Sequence, residues 1–204
     1  MRTSGPAFRR LPRAVRTRQI LDAAVGVFSR RGYHPASVDE IAEAAGISKP
    51  MVYAYLGTKE ELFTACLHRE GARLLEALAE AVSQNLSPDE QLRRGLHAFF
   101  GFVAAHRDGW NVLYRQARGQ EPFADVLAQM RTHLAEVVTG FLARARRTAG
   151  LTARADEVST MAYAVVGAAE AVADWVVDHP DEDVEVVAER LMRVLWHGTG
   201  SLLR

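Results

Sequence analysis

Residues 37–59, SVDEIAEAAGISKPMVYAYLGTK, decide the fold. Ser37 and Glu40 have the spacing of a capping box, in which the serine hydroxyl accepts from the Glu40 amide and the carboxylate reaches back to the serine amide. A helix therefore starts at about Val38, with Ile41, Ala44 and Ala45 on one face and Asp39, Glu40 and Glu43 toward solvent. Gly46 supplies the tight backbone that ends it. Ser48 is the next N-cap position, and Pro50 fits a first helical turn because its missing amide hydrogen has no helical partner there. The second helix, about 49–55, has only Val52 and Leu56 as clear core anchors and turns a cation and two phenols outward, namely Lys49, Tyr53 and Tyr55, together with Met51. After Gly57, residues 58–61 form another capping box and open a further helix, whose N-terminus beside Lys59 is an anion site. Two short helices joined by a glycine turn, the second with a cationic and aromatic outer face, read as a helix-turn-helix suited to the DNA major groove.

The sequence RTRQILDAAVGVFSRRGYHPASVDEIAEAAGISKPMVYAYLGTKEELF resembles the N-terminal domain of the tetracycline-repressor (TetR) family of bacterial transcription regulators, over about residues 16–67. The resemblance rests on the FSRRGY helix ending, the SVDEIAEAAGIS block, Tyr53 and the GTKEELF helix start taken together. It departs from the family's frequent pattern at Pro50, Met51 and Ala54, where a Gly-Thr pair and a histidine are common. The expected phosphate contacts are Ser37, Ser48, Tyr53, Tyr55 and Lys59, with Lys49, Pro50 and Met51 nearest the base edges. A methionine offers a thymine methyl apolar contact but not the bidentate hydrogen bonds that separate bases most strongly, so the base-reading face is sparse.

Charge is distributed to match. The chain has no net charge, but residues 1–60 carry ten Lys or Arg against five Asp or Glu, and the remainder carries the opposite imbalance. The basic surplus lies with the helix-turn-helix, as a footprint on phosphates requires. Residues 1–12 mix Gly, Pro and arginines without periodicity and are expected to be a flexible basic arm. From about 13 to 31, Ile20, Leu21, Ala24, Val27 and Phe28 recur at helical spacing and end in Arg30, Arg31 and Gly32. Tyr33 and Ile47 are expected to plug the core beneath this helix.

Beyond the motif every strong pattern is helical, so the predicted fold is all-α: residues 13–60 a three-helix helix-turn-helix DNA-binding domain, and 61–204 a C-terminal helical effector-binding and dimerisation domain. A helix over about 58–82 links the two. Ser87, Pro88 and Glu90 read as a third capping box, followed by a helix to about 107, a short helix at 110–117 and a long one at 123–147. Helices at about 152–178 and 181–203 complete the chain, the last with Val184, Val187, Leu191, Val194 and Leu195 on one side. These two exceed what one small body needs to cover itself. They predict a homodimer through a four-helix interface, which is also the TetR mode.

By the resemblance, the C-terminal body holds a site for a small, largely apolar effector, with Phe99, Phe102, Trp110, Tyr114, Phe123, Met130, Met161 and Trp175 as its expected lining. From the residues alone, the same stripes read as plain core. The seven histidines include no pair at metal-ligand spacing, and no nucleophile elbow, P-loop or dinucleotide glycine pattern is present. No catalysis, cofactor or metal is therefore expected. The single Cys66 excludes an internal disulfide and fits a reducing cytoplasm, and the longest apolar run, residues 161–169, is too short to span a bilayer.

The reading is a cytoplasmic, dimeric regulator of transcription that binds a palindromic double-stranded operator and is a repressor released by its effector. One alternative is a helical-bundle small-molecule binder or enzyme with a vestigial helix-turn-helix. Another is an effector-independent DNA-binding factor.

Overall fold

The computed structural model describes residues 12–82, 86–118, 120–148, 150 and 154–200, with the side chains of 199 and 200 excepted. The expected basic arm falls, but for Pro12, outside the described residues. The described residues form helices joined by turns and include no strand. Their elements are α1 Arg13–Arg31, α2 Val38–Ala44, α3 Lys49–Leu56, α4 Lys59–Ala81, α5 Pro88–Ala105, α6 Arg107–Trp110, α7 Phe123–Thr148, α8 Ala155–Asp178 and α9 Val184–Gly200. A π-helical segment, Asn111–Gln116, continues α6. The chain divides into two compact units, 1–66 and 67–204, with the division inside α4.

In the N-terminal unit α1 packs on both α2 and α3, and α2 on α3. Ile20, Ala24, Phe28, Ile41, Val52, Leu62 and Phe63 are fully buried and hold the three together. Phe63 meets Phe28 edge-on at 4.9 Å between ring centroids, and Tyr33 at 5.0 Å. Gln19 Nε2 donates to the Ala45 carbonyl at 2.6 Å, satisfying a helix-end carbonyl of α2 from α1. The inward face of α2 is Val38, Ile41, Ala42 and Ala45, whereas Ala44, expected inside, is exposed. Seven residues make under two turns, and over so short a helix the capped start sets which residues face in. Tyr33 and Ile47 are only half-buried, Tyr33 lying as a cover over Phe28 and Phe63.

In the C-terminal unit α5 packs chiefly on α9, α7 on α8, and α5 also on α8. Ser87 occupies the N-cap of α5 with Pro88 at the first position, but its side chain makes no capping bond. The Ser87 hydroxyl bonds Asp89 instead, holding that carboxyl below its ordinary range, and Glu90 pairs with Arg94 at 2.8 Å. The expected helix at 110–117 proves to be one α-turn followed by the π-helical segment. Val112, Leu113 and Tyr114 are all buried there, three in succession, which a 3.6-residue stripe on one helix face does not supply. Val187, Ala188, Leu191 and Met192 of α9 are buried within the unit, while Val194 is 71% exposed. Two glycines mark close approaches: a Cβ at Gly71 would lie 1.7 Å from Met130 Cε, and one at Gly109 2.5 Å from Glu70 Oε2. By length and composition α8 is apolar enough to cross a membrane, yet its buried Glu170 is bonded into the helical body by α7.

Candidate nucleic-acid interface and effector cavity

The presentation of α3 depends on local chemistry on either side of it. The Glu40 amide donates to Ser37 Oγ at 3.1 Å, and the Ser37 amide donates to Glu40 Oε2 at 3.0 Å, so the predicted capping box is formed in full. That backbone bond, ahead of the Arg31 guanidinium at 3.2 Å, holds the Glu40 carboxyl below its ordinary range. Gly46, at φ 63°, makes the turn. Ser48 stands at the N-cap of α3, but its side chain makes no capping bond and is exposed. On the far side Gly57 has φ 70°, and the Thr58 amide donates to Glu61 Oε2 at 2.7 Å while the Glu61 amide donates to Thr58 Oγ1 at 3.1 Å.

Between these fixed ends, Val52 is the one fully buried side chain of α3. Ser48, Lys49, Pro50, Met51, Tyr53 and Ala54 are exposed together, Met51 at 36% and Tyr53 at 45%. The structure thus brings five of the eight expected DNA contacts onto one outer surface, and the other three are engaged within the unit. Ser37 spends its hydroxyl on the α2 cap. Tyr55 is half-buried beneath the Arg13 guanidinium, 5.2 Å from its ring centre. Lys59 Nζ donates to the His34 carbonyl at 3.0 Å and lies 4.7 Å over the Tyr33 ring, and burial lowers its pKa. Lys49 donates to Asp39 Oδ2 at 2.7 Å, which raises its pKa, but with 43% and 67% of the two side chains exposed this is a solvent-facing pair.

The C-terminal unit contains a cavity of about 460 Å³, within the range of small-molecule sites. Its walls are Leu75 and Leu78 of α4, Leu96 and Phe99 of α5, Leu134, Val138 and Phe141 of α7, and Val166 and Ala169 of α8. Among the described residues, four polar side chains line it: Gln91, His133, Arg144 and Glu170. Of the eight expected lining residues, Phe99 lines it. Trp110 and Tyr114 stack at 3.8 Å, with Trp110 Nε1 donating to Asp174 and the Tyr114 hydroxyl to Glu170 Oε1, each at 3.0 Å. Burial, and then that partnership with Glu170, push the Tyr114 phenol far up. Phe102 stacks on His106, and Phe123 is buried. Met130 fills the notch at Gly71, Met161 packs on a cluster of Leu142, Val158 and Ala162, and Trp175 is 39% exposed, stacked on His179. The aliphatic wall carried no signal that separates it from ordinary helix core, because both are written as apolar residues at helical spacing. No cluster of metal-ligating side chains occurs among the described residues.

Comparison with known proteins gives this arrangement its relatives. Residues 20–66 match the family of bacterial regulatory proteins of the tetR type, and 88–198 match the tetracyclin repressor-like C-terminal domain. A TetR-like transcriptional regulator from Rhodococcus sp. RHA1 is 46% identical and superposes with a TM-score of 0.80 over 94% of this chain and 99% of its own. The HTH-type transcriptional activator FasR of Mycolicibacterium smegmatis is 29% identical over 189 residues, 93% of this chain and 85% of that protein. A transcriptional regulator FadR from Bacillus subtilis, solved in complex with stearoyl-CoA, shares the fold at 20% identity and a TM-score of 0.75, over 87% of this chain and 96% of its own. With a reading helix held between two capping boxes, an apolar cavity in a separate helical unit, and both halves matched in order, the chain belongs to the TetR family of ligand-responsive, DNA-binding transcriptional regulators.

Proposed function

We propose that two copies of this chain bind a palindromic operator as a homodimer, and that a small, largely apolar effector in the C-terminal cavity releases them, giving repression. The exposed face of α3 carries the reading: it keeps one buried anchor and turns Lys49, Pro50, Met51 and Tyr53 outward. Lys49, Pro50 and Met51 approach base edges; Ser48 and Tyr53 take phosphates. Ser37, Tyr55 and Lys59 act by fixing α2, α3 and the start of α4, and contact phosphate only where the DNA reaches past their internal partners. Tyr163 and Trp175 of α8 and Val186 and Val194 of α9 leave apolar surface for a second copy. Solution in the cytoplasm fits this role, and nothing in the site calls for catalysis.

The cavity supports effector control because Leu75 and Leu78 in its wall belong to α4, whose first turns lie in the N-terminal unit. A ligand that presses on this wall biases the helix that carries the reading head. The FadR complex with stearoyl-CoA shows that one protein of this fold takes an apolar chain. The relative named as an activator favours a second reading, in which the same site controls activation.

The test is selection of bound fragments from genomic DNA, followed by a mobility shift on the enriched sequence. A palindrome bound at two half-sites about one helical turn or a multiple apart is expected, with Met51→Ala changing which sequence is preferred. Failure to enrich any sequence at low salt would sink the proposal, and loss of transcription on deleting the gene would favour activation.

A further inference from the structure

Resting on the reading of the cavity as the effector site, we infer that its ligand is a straight-chain amphiphile with a single anionic head, a free carboxylic acid rather than a coenzyme A thioester, held by Arg144. The inference follows from the polar groups at an otherwise apolar cavity. Glu170 is 3% exposed, but its carboxylate is already occupied: Arg131 donates to Oε1 from Nε at 2.9 Å and pairs with Oε2 at 2.8 Å, and the Tyr114 hydroxyl donates at 3.0 Å. Gln91 donates to the Leu86 carbonyl at 2.6 Å, and His133 lies 3.8 Å from Glu136. Arg144 differs. Among the described residues no acceptor pairs with its guanidinium, which lies over Gly140 of its own helix, where a Cβ would be 3.7 Å from Nη1.

The two ends of the cavity are therefore unlike. Arg131 and Arg144 are thirteen positions apart on α7, about 20 Å at the helical rise. At the Arg131 end charge is matched and closed. At the other end one cation is left over, with the apolar wall of Leu134, Val138 and Phe141 between them. An extended alkyl chain fills that wall, and a planar carboxylate matches the guanidinium fork in two parallel hydrogen bonds. A thioester would bring several phosphates, whereas Arg144 is the one unpaired cation lining the cavity among the described residues.

The probes are dodecanoate, dodecanol, dodecyltrimethylammonium and dodecanoyl-CoA, each below its micelle concentration, titrated calorimetrically into the full chain at neutral pH. Dodecanoate is expected to bind about ten-fold tighter than dodecanol, to outcompete both the cation and the thioester, and to weaken by roughly four-fold for each methylene removed. Arg144→Gln should erase the acid's advantage and leave dodecanol binding unchanged; Arg144→Lys, which keeps charge but not the fork, should restore part of it. Arg144 is exposed, so neither variant threatens the fold. Equal binding of acid and alcohol, an advantage that survives in Arg144→Gln, or preference for the thioester overturns the inference while leaving an apolar effector site in place. Absence of binding by every alkyl probe overturns the inference and the effector reading together.

Discussion

The reading head and the effector body carry function in opposite ways. In the head the proposed DNA contacts stand outside a close-packed core: Phe28, Phe63, Ile41 and Val52 are fully buried, and Lys49, Met51 and Tyr53 project from it. In the body the proposed effector space lies inside, and side chains such as Leu134 and Val138 face a void on one side. A surface site needs a rigid support, because a contact offered to DNA is only as well placed as the helix beneath it. A cavity site needs its wall left incompletely packed, because filling it is what a ligand does. The two should therefore respond differently to the same kind of damage.

The largest expected effect is in the head. Phe63→Ala should cost about 3–5 kcal/mol and abolish operator binding, since Phe63 is fully enclosed beside Phe28 and Tyr33. Val138→Ala in the cavity wall should cost only about 1 kcal/mol, because fewer neighbours lose contact. Equal losses in denaturant melts of the two variants would break the comparison.

Gly57→Ala comes next. It places a side chain at φ 70° and its Cβ 2.1 Å from Glu61 Oε2, so the capping carboxylate must leave the Thr58 amide. A loss of about 1–2 kcal/mol is expected. Operator affinity should fall with it, which a folded but non-binding variant would reveal by mobility shift.

A smaller effect separates the two lysines. Lys49→Ala should relax sequence preference at the base it faces by about 1 kcal/mol, since an exposed ion pair to Asp39 yields readily to a base edge. Lys59→Ala should change the preference less and melting more, because its ammonium is held by the His34 carbonyl and the Tyr33 ring. Asp39→Asn sharpens this: freeing Lys49 should strengthen the preference for the operator over other sequences.

The smallest effect is in the body and depends on pH. Hydrogen bonds from Arg93 and then His97 hold the Glu189 carboxyl at about 2, joining α5 to α9. Its unfolded value is about 4.3, so below that pH the unfolded chain binds the extra proton first. The stabilisation is complete above about 4.3 and is lost as pH falls through about 2. Stability measured at pH 5, 4 and 3 should decline less steeply in Glu189→Gln.

How much was legible follows the range of the interactions. The boxes at Ser37 with Glu40 and Thr58 with Glu61 formed as the spacing dictates, since each closes over three residues whose geometry the chain itself fixes. Ser48 and Ser87 occupy the expected caps without the expected bonds, because a serine hydroxyl rotates to whichever acceptor is near, Asp89 in the second case. The π-helical segment escaped a pattern that counts turns of 3.6 residues. So did the cavity: Trp110 and Tyr114, prominent as aromatics, became partners of Asp174 and Glu170, while unremarked aliphatics formed the wall.

The sequence by itself determined the all-helical class, the helix-turn-helix and its exposed reading face, because periodicity, caps and glycine turns act within a few residues. Only the tertiary structure decided which lysine is engaged, which stripe is core and which is cavity wall, and that Arg144 has no partner there among the described residues. Those outcomes depend on residues tens of positions apart, such as Arg131 with Glu170 and Lys59 with His34, whose meeting no local pattern encodes.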